Sequence, residues 1–231
     1  KFSDGEFVSQ RKAIREAIEN PAHPYHDYIL HIIHDIDPEV MKTLAVNFFI
    51  NASLIGWSKQ EENRAKYNCN VPWAILLDPT SACNLHCTGC WAAEYGNKLN
   101  LTFDEIDSII QQGKKLGVYM YIYTGGEPLT RKNDLIRLCE KHNDCVFLCF
   151  TNATLIDEKF ADEMLRVKNF IPAISLEGDE VSTDSRRGQG TYQKVVRAMK
   201  LLHEKKLPYG ISSCYTSVNY EKITSDTYYN S

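Results

Sequence analysis

The chain has 231 residues, of which 43% are hydrophobic and 24% charged, with a formal net charge of -4. That is enough apolar material to bury a core, and the composition of a globular chain. A slightly acidic balance supplies no concentrated positive footprint, so no nucleic-acid partner is expected.

The first residue is Lys1, and the segment behind it is charged and lacks the apolar core of a signal peptide. The expectation is a piece of a longer protein. Residues 1–70 read as a helical N-terminal extension. Apolar residues recur at helical spacing over Phe7–Ile18, and again over His31–Ala65 after the break at Pro21 and Pro24. Asp37 followed by Pro38 predicts an N-cap and a first helical position. The apolar stretch Val40–Trp57 is interrupted by Lys42, Asn47 and Asn51. It falls short of the roughly 20 residues that cross a bilayer, so no transmembrane segment is expected. A helix packed on the domain is favoured over one lying on a membrane surface.

From residue 71 to 231 the texture changes. Short apolar runs at Trp73–Leu77, Val118–Tyr123, Cys145–Phe150, Ile171–Leu176 and Tyr209–Cys214 predict strands. Helical patterns at Thr102–Leu116, Arg131–His142, Ile156–Val167 and Thr191–Lys205 lie between them. This alternation predicts an α/β fold with a parallel sheet covered by helices. A sixth βα unit has no room after Tyr220, which would leave an uncovered parallel edge. The expected architecture is an open or partial barrel, incomplete at its C-terminus.

There are eight cysteines. Cys145, Cys149 and Cys214 sit in strand-like runs and read as buried thiols. Without a signal peptide, a reducing cytoplasm is the expected compartment. Cys83, Cys87 and Cys90 differ. They follow the first predicted strand with C-x3-C-x2-C spacing, at the strand end where barrels place their chemistry. Three thiolates this close suit one soft metal centre. Structural zinc wants four ligands, and the adjacent His86 and Cys87 would have trouble reaching one ion together. A cubane cluster ordinarily takes four cysteines, so three leave one iron open to chelate a small molecule.

The spacing Cys83-x3-Cys87-x2-Cys90 resembles the signature of the radical S-adenosylmethionine (radical SAM) superfamily. After the second strand, Gly125-Gly126-Glu127-Pro128 resembles that family's GGEP motif. Ser175-Leu176-Glu177-Gly178 is similar to its SLDG sequence, with Glu in place of Asp. The resemblance covers roughly residues 72–231. It implies a partial (βα)6-type TIM-like barrel, a [4Fe–4S] cluster on the three cysteines, and bound S-adenosylmethionine (AdoMet). Gly125, Gly126, Glu127 and Pro128 would hold the methionine amino end. Asn152 would lie near the ribose, with a turn or helix N-cap as an equal role. Ser175 and Arg187 would meet the carboxylate, with Arg186 as the alternative arginine, and Glu177 would face the ribose hydroxyls or the substrate. Many members carry an aromatic residue before the third cysteine. Here it is Gly89, and Trp91 follows Cys90 instead.

The implied reaction is reductive. A flavodoxin or ferredoxin supplies an electron, and AdoMet is cleaved to methionine and a 5′-deoxyadenosyl radical that acts on a peptide, lipid or small molecule. The rival of another class is a non-catalytic iron–sulfur or zinc-binding module, which explains the cysteines but not the Gly-Gly-Glu-Pro segment. No paired carboxylates or Ser/His/Asp arrangement asks for hydrolysis.

Overall fold

The computed structural model describes residues 8–96 and 98–229. Five strands form one sheet: β1 (Ala74–Leu77), β2 (Met120–Tyr123), β3 (Val146–Thr151), β4 (Phe170–Ser175) and β5 (Gly210–Ser212). Neighbours in sequence are neighbours in space, and every pair is parallel. Parallel strands need crossover connections, and right-handed crossovers in this order lay the helices on one face. That is the curl of a barrel wall, in agreement with the α/β expectation.

The covered face is aromatic and apolar. Tyr121, Tyr123, Phe147, Phe170 and Ile174 are all fully buried. Tyr123 stacks on Phe147 at 5.6 Å, and Tyr121 Oη donates to Ile110 O on the helix above at 2.9 Å. Side chains alternate across a strand, so the opposite face carries Leu76 and Phe150, both exposed. Cys145 and Cys149 are buried, as their apolar surroundings predict, and so is Cys139, whereas Cys214 is only half-buried. Its strand stops at Ser212, two residues short of it.

Four helices between strands lie close to where the apolar patterns place them. In α5 (Phe103–Leu116) Thr102 and Glu105 form a reciprocal capping box, and Gly117 closes the helix at φ +96°. The others are α6 (Lys132–Lys141), α7 (Glu158–Val167) capped by Asp157, and α9 (Thr191–Glu204). Sequence periodicity misses α8 (Glu180–Arg187). Its buried positions are Thr183 and Asp184, and Val181 faces solvent, so it shows no apolar stripe. Asp184 instead accepts from the Gly190 and Tyr192 N–H groups and so fixes the start of α9.

Helices α1 (Val8–Glu19) and α2 (His26–Asp35) precede α3 (Pro38–Ala45). Asp37 caps α3, accepting from Glu39 N and Val40 N, with Pro38 at its first turn. The helix then widens into a π segment over Val46–Ile55 and continues as α4 (Gly56–Tyr67). The whole run Pro38–Tyr67 is one 30-residue helix, long and apolar enough to cross a membrane by length and composition. The helix is longer than the apolar stretch Val40–Trp57, because helical residues continue the run at both ends. The helix packs on the domain nevertheless. Asn47 is buried and donates to Asn143 O and Cys145 O, Asn51 donates to Asp144 O, and buried Gln60 donates to Gly117 O. These carbonyls belong to the loops that lead into β3 and β2. Polar side chains inside an apolar helix thus satisfy backbone acceptors of these loops. Val40 and Ala52 join the same buried cluster as the sheet.

Gly56 and Gly117 make the contact tight. A Cβ on Gly117 would meet Gly56 O at 2.5 Å and Lys59 Cβ at 2.9 Å. Gly117→Ala adds that clash to a positive φ and is expected to cost about 1–3 kcal/mol of stability. Urea denaturation measures it; an unchanged midpoint would rule out this close crossing.

Candidate functional site

All site residues expected from the sequence lie at one edge of the sheet, at or beyond the C-terminal ends of β1 to β4. The segment after β1, residues 78–90, carries the three cysteines and has almost no regular structure of its own. Its position comes from the other strand ends. Gly126 N donates to Thr80 O at 2.9 Å, and Glu127 N donates to Ala82 O at 2.8 Å. After β3, Asn152 Nδ2 donates to Asn84 Oδ1, and Asn84 Nδ2 donates to Thr154 Oγ1, both at 2.8 Å. From α8, Arg186 O accepts from Thr88 N at 2.8 Å.

Glycine is required where the two motifs meet. Gly125 has φ +103°, and a Cβ there would lie 2.6 Å from Thr80 O. A Cβ on Gly126 would lie 2.2 Å from Ala82 O and 2.5 Å from Ser81 O. No side chain fits between these loops. Gly89 has φ +68° in open space, so the chain turns there into Cys90 by a conformation that favours glycine.

Glu127 is buried, and its carboxylate braces three segments. Oε1 accepts from Leu129 N (2.9 Å) and Thr151 Oγ1 (2.7 Å), and Oε2 accepts from Asn152 N (2.7 Å). Burial pushes its pKa above the usual carboxylate value, against the pull of these donors and of nearby Arg187. Pro128 opens a short 3-10 turn over Pro128–Arg131. For Asn152 the structure shows the turn: its Oδ1 accepts from Thr154 N and Oγ1, while α7 is capped by Asp157.

At β4, Ser175 is half-buried at the strand's last position. Glu177 is fully buried. Its Oε1 accepts from Arg187 Nε (2.9 Å) and Nη2 (2.6 Å) and from Arg186 Nη1, and its Oε2 accepts from Cys214 N at 2.8 Å. Arg187, the arginine expected at a carboxylate, is therefore held by Glu177, and so is Arg186.

Cys83, Cys87 and Cys90 are half-buried and free. Burial pushes the Cys83 and Cys87 thiols up; Arg187 and Arg186 pull Cys87 back down, and the three sulfurs act on one another electrostatically. Among the described residues no three His, Cys, Asp or Glu side chains converge as on a single ion. A cubane takes one thiolate per iron and has no need of such convergence. The donor set fits a [4Fe–4S] cluster: soft ligands on one loop, with guanidinium groups near the negative charge that thiolates bring. Beside Gly125 and Gly126 opens a cavity of about 590 Å3, lined among others by Asp78, Trp91, Tyr95 and Lys98. Sequence reasoning missed Asn84, Thr88 and Thr151 as loop anchors. Their signal was adjacency: two lie between the cysteines and one stands beside Asn152.

The family model described as the Radical SAM superfamily matches residues 77–227. A curated relative, the AdoMet-dependent heme synthase of Methanosarcina barkeri (strain Fusaro / DSM 804), is 27% identical over 161 residues, covering 67% of this chain and 46% of the relative. Among solved structures, anSMEcpe with bound AdoMet is 25% identical with a TM-score of 0.56, over 67% of this chain and 49% of that one. Streptococcus suis SuiB bound to precursor peptide SuiA is 25% identical with a TM-score of 0.61, over 72% and 38%. The chain thus spans about half or less of the length of each of these proteins.

Gly126→Ala tests the junction of the two motifs. It is expected to displace the cysteine loop and lower iron incorporation on reconstitution by about tenfold or more, since a clash at 2.2 Å with backbone has no cheap relief. Iron and sulfide per chain are the readout; full incorporation would show that the two loops are not coupled.

Proposed function

The chain belongs to the radical SAM superfamily, and from that premise we infer that Cys83, Cys87 and Cys90 hold a [4Fe–4S] cluster and that the neighbouring strand ends hold AdoMet in an active enzyme. The observation that carries this reading is the fit of Gly126 against Ala82 O, which joins the AdoMet-type loop to the cysteine loop without room for a side chain. When bound, the reduced cluster supplies the electron that cleaves AdoMet to methionine and a 5′-deoxyadenosyl radical.

The protein's own residues do the positioning. Cys83, Cys87 and Cys90 would hold the cluster with three thiols rather than four, which would leave a place for AdoMet. Gly125, Gly126 and Pro128 shape the backbone where the methionine amino end would lie. Glu127 serves first as a brace, and the acceptor place left on its Oε2 is the one an ammonium group would take. Asn152 and Ser175 border the ribose and carboxylate from β3 and β4. Arg187 supplies a guanidinium, the group best shaped for a carboxylate. Leu76 and Phe150, exposed on the face away from the helices, give the substrate side an apolar wall that keeps water from a reactive species.

The outer side of the cysteine loop, at Asn84, His86, Thr88 and Gly89, is exposed. It is the accessible side for a small one-electron donor of the flavodoxin or ferredoxin kind. Residues 1–70 read as an extension to a core at 71–231, and a reducing cytoplasm suits eight free thiols. The relatives' names point to different substrates, a precursor peptide in one and heme synthesis in another. The reading therefore ends at the radical, with peptide, lipid and small molecule as the substrate classes to try.

Anaerobic reconstitution with iron and sulfide, followed by dithionite and AdoMet, tests it. The expected result is a brown protein that releases 5′-deoxyadenosine, with both colour and release abolished in Cys87→Ala. A colourless zinc protein that releases nothing would overturn the assignment.

A further inference from the structure

The cavity beside Gly125 and Gly126 has no part in the reading given above. At about 590 Å3 it has the size of a small-molecule site. It is lined from the ends of β1 and β2 and from residues 91–101. No lining residue comes from β3, β4 or α8, where Asn152, Ser175 and Arg187 lie. The cavity therefore lies to the β1 side of the place assigned to AdoMet and shares with it only the two glycines.

Two charged side chains line it, Asp78 and Lys98. Leu77 is buried under the helices, so Asp78 after it turns to the other face of the sheet, the one that carries exposed Leu76. Thr124 follows buried Tyr123 in the same way, and Leu77 pairs with Tyr123. Thr124 Oγ1 donates to Asp78 Oδ1 at 2.5 Å. Among the described residues that is the carboxylate's one hydrogen bond, and Oδ2 has none. Gly125 makes room for this acid, since a Cβ there would lie 2.9 Å from Asp78 Cβ. Lys98 is exposed and, among the described residues, has neither a hydrogen bond nor an ion pair. Trp91 and Tyr95 line the same cavity, edge to face at 5.8 Å and each more than half exposed. Open aromatic faces beside an unpaired carboxylate suit a cation on an apolar frame, and the free ammonium of Lys98 suits an anion.

We propose that this cavity is a substrate subsite for a molecule that carries an ammonium group and a carboxylate on an apolar or aromatic frame, the chemistry of a short peptide end or an amino acid. This rests on the proposed function and deepens it by narrowing the substrate classes. Asp78, oriented by Thr124, takes the ammonium group. Lys98 takes the carboxylate, and Trp91 and Tyr95 cover the frame. Asp78 begins the segment that runs into the cysteine loop, so a substrate anchored on it is held beside the two glycines that border the cofactor.

The test uses the reconstituted protein saturated with AdoMet, and calorimetry with three matched probes: glycyl-L-phenylalanine, its C-terminal amide and its N-acetyl derivative. The dipeptide is expected to bind about tenfold or more tighter than either blocked form, the scale of one charge-assisted hydrogen bond. Asp78→Asn should weaken the dipeptide and the amide by a similar factor and leave the N-acetyl form within about twofold. Lys98→Gln should weaken the dipeptide and the N-acetyl form and spare the amide. Both variants should keep the wild-type iron content and AdoMet affinity. Free L-phenylalanine separates the two sources: tighter binding of the dipeptide supports a peptide end, and tighter binding of L-phenylalanine supports an amino acid. No binding of any probe, equal binding of all three, or displacement of the dipeptide by added AdoMet overturns the proposal alone. A wild-type protein that takes up neither cluster nor AdoMet overturns the proposed function, and this inference with it.

Discussion

A loop without regular structure cannot place three thiols by itself, because fixing each residue costs about 1–2 kcal/mol of backbone entropy. In this chain the cysteine loop is fixed from outside. Backbone N–H groups from the Gly-Gly-Glu-Pro segment reach Thr80 O and Ala82 O, side chains after β3 hold Asn84, and a carbonyl of α8 holds Thr88. The approach of Gly126 to Ala82 sets how close the first two strand ends can come. Everything that a cofactor would meet is positioned relative to that contact. The sheet matters to the chemistry mainly because its parallel register delivers four strand ends to the same edge.

Two buried carboxylates stabilise this edge in different ways. Glu127 binds neutral donors and ties β2 to β3. Glu177 binds cations and ties β4 to β5. In both cases the acid that family resemblance assigns to a ligand is engaged inside the protein, where it fixes the backbone, hydroxyl and guanidinium groups around it. The site is thus preorganised by acids that hold its parts in place. Oriented dipoles and cations of this kind need little rearrangement when a charged ligand arrives.

Much of this was legible in the residues. The five strands and four of the covering helices follow from apolar periodicity, and Asp37–Pro38 marks a helix start through local chemistry alone. The motif residues locate the site because they lie at or past strand ends. What was not legible is partnership across long separations. Nothing local in Glu177 says that it will bind residues 9 and 10 positions on, together with an N–H 37 positions on. Helix α8 escaped notice because it buries Thr183 and Asp184 where an apolar stripe would have announced it. In the apolar stretch of the long helix Asn47 and Asn51 look like interruptions, when they are its attachment points.

Those attachment points have a consequence for how the molecule tolerates change. Asn47, Asn51 and Gln60 grip the loops entering β2 and β3, at the opposite end of the sheet from the cysteines. The anchoring that holds the helix to the body and the contacts that shape the reaction edge share no residues. The strand-exit loops can therefore diverge in sequence, and with them the molecules they accept, while the gripped end keeps the framework intact. A single scaffold of this construction can serve a lineage of enzymes whose reactions have little else in common.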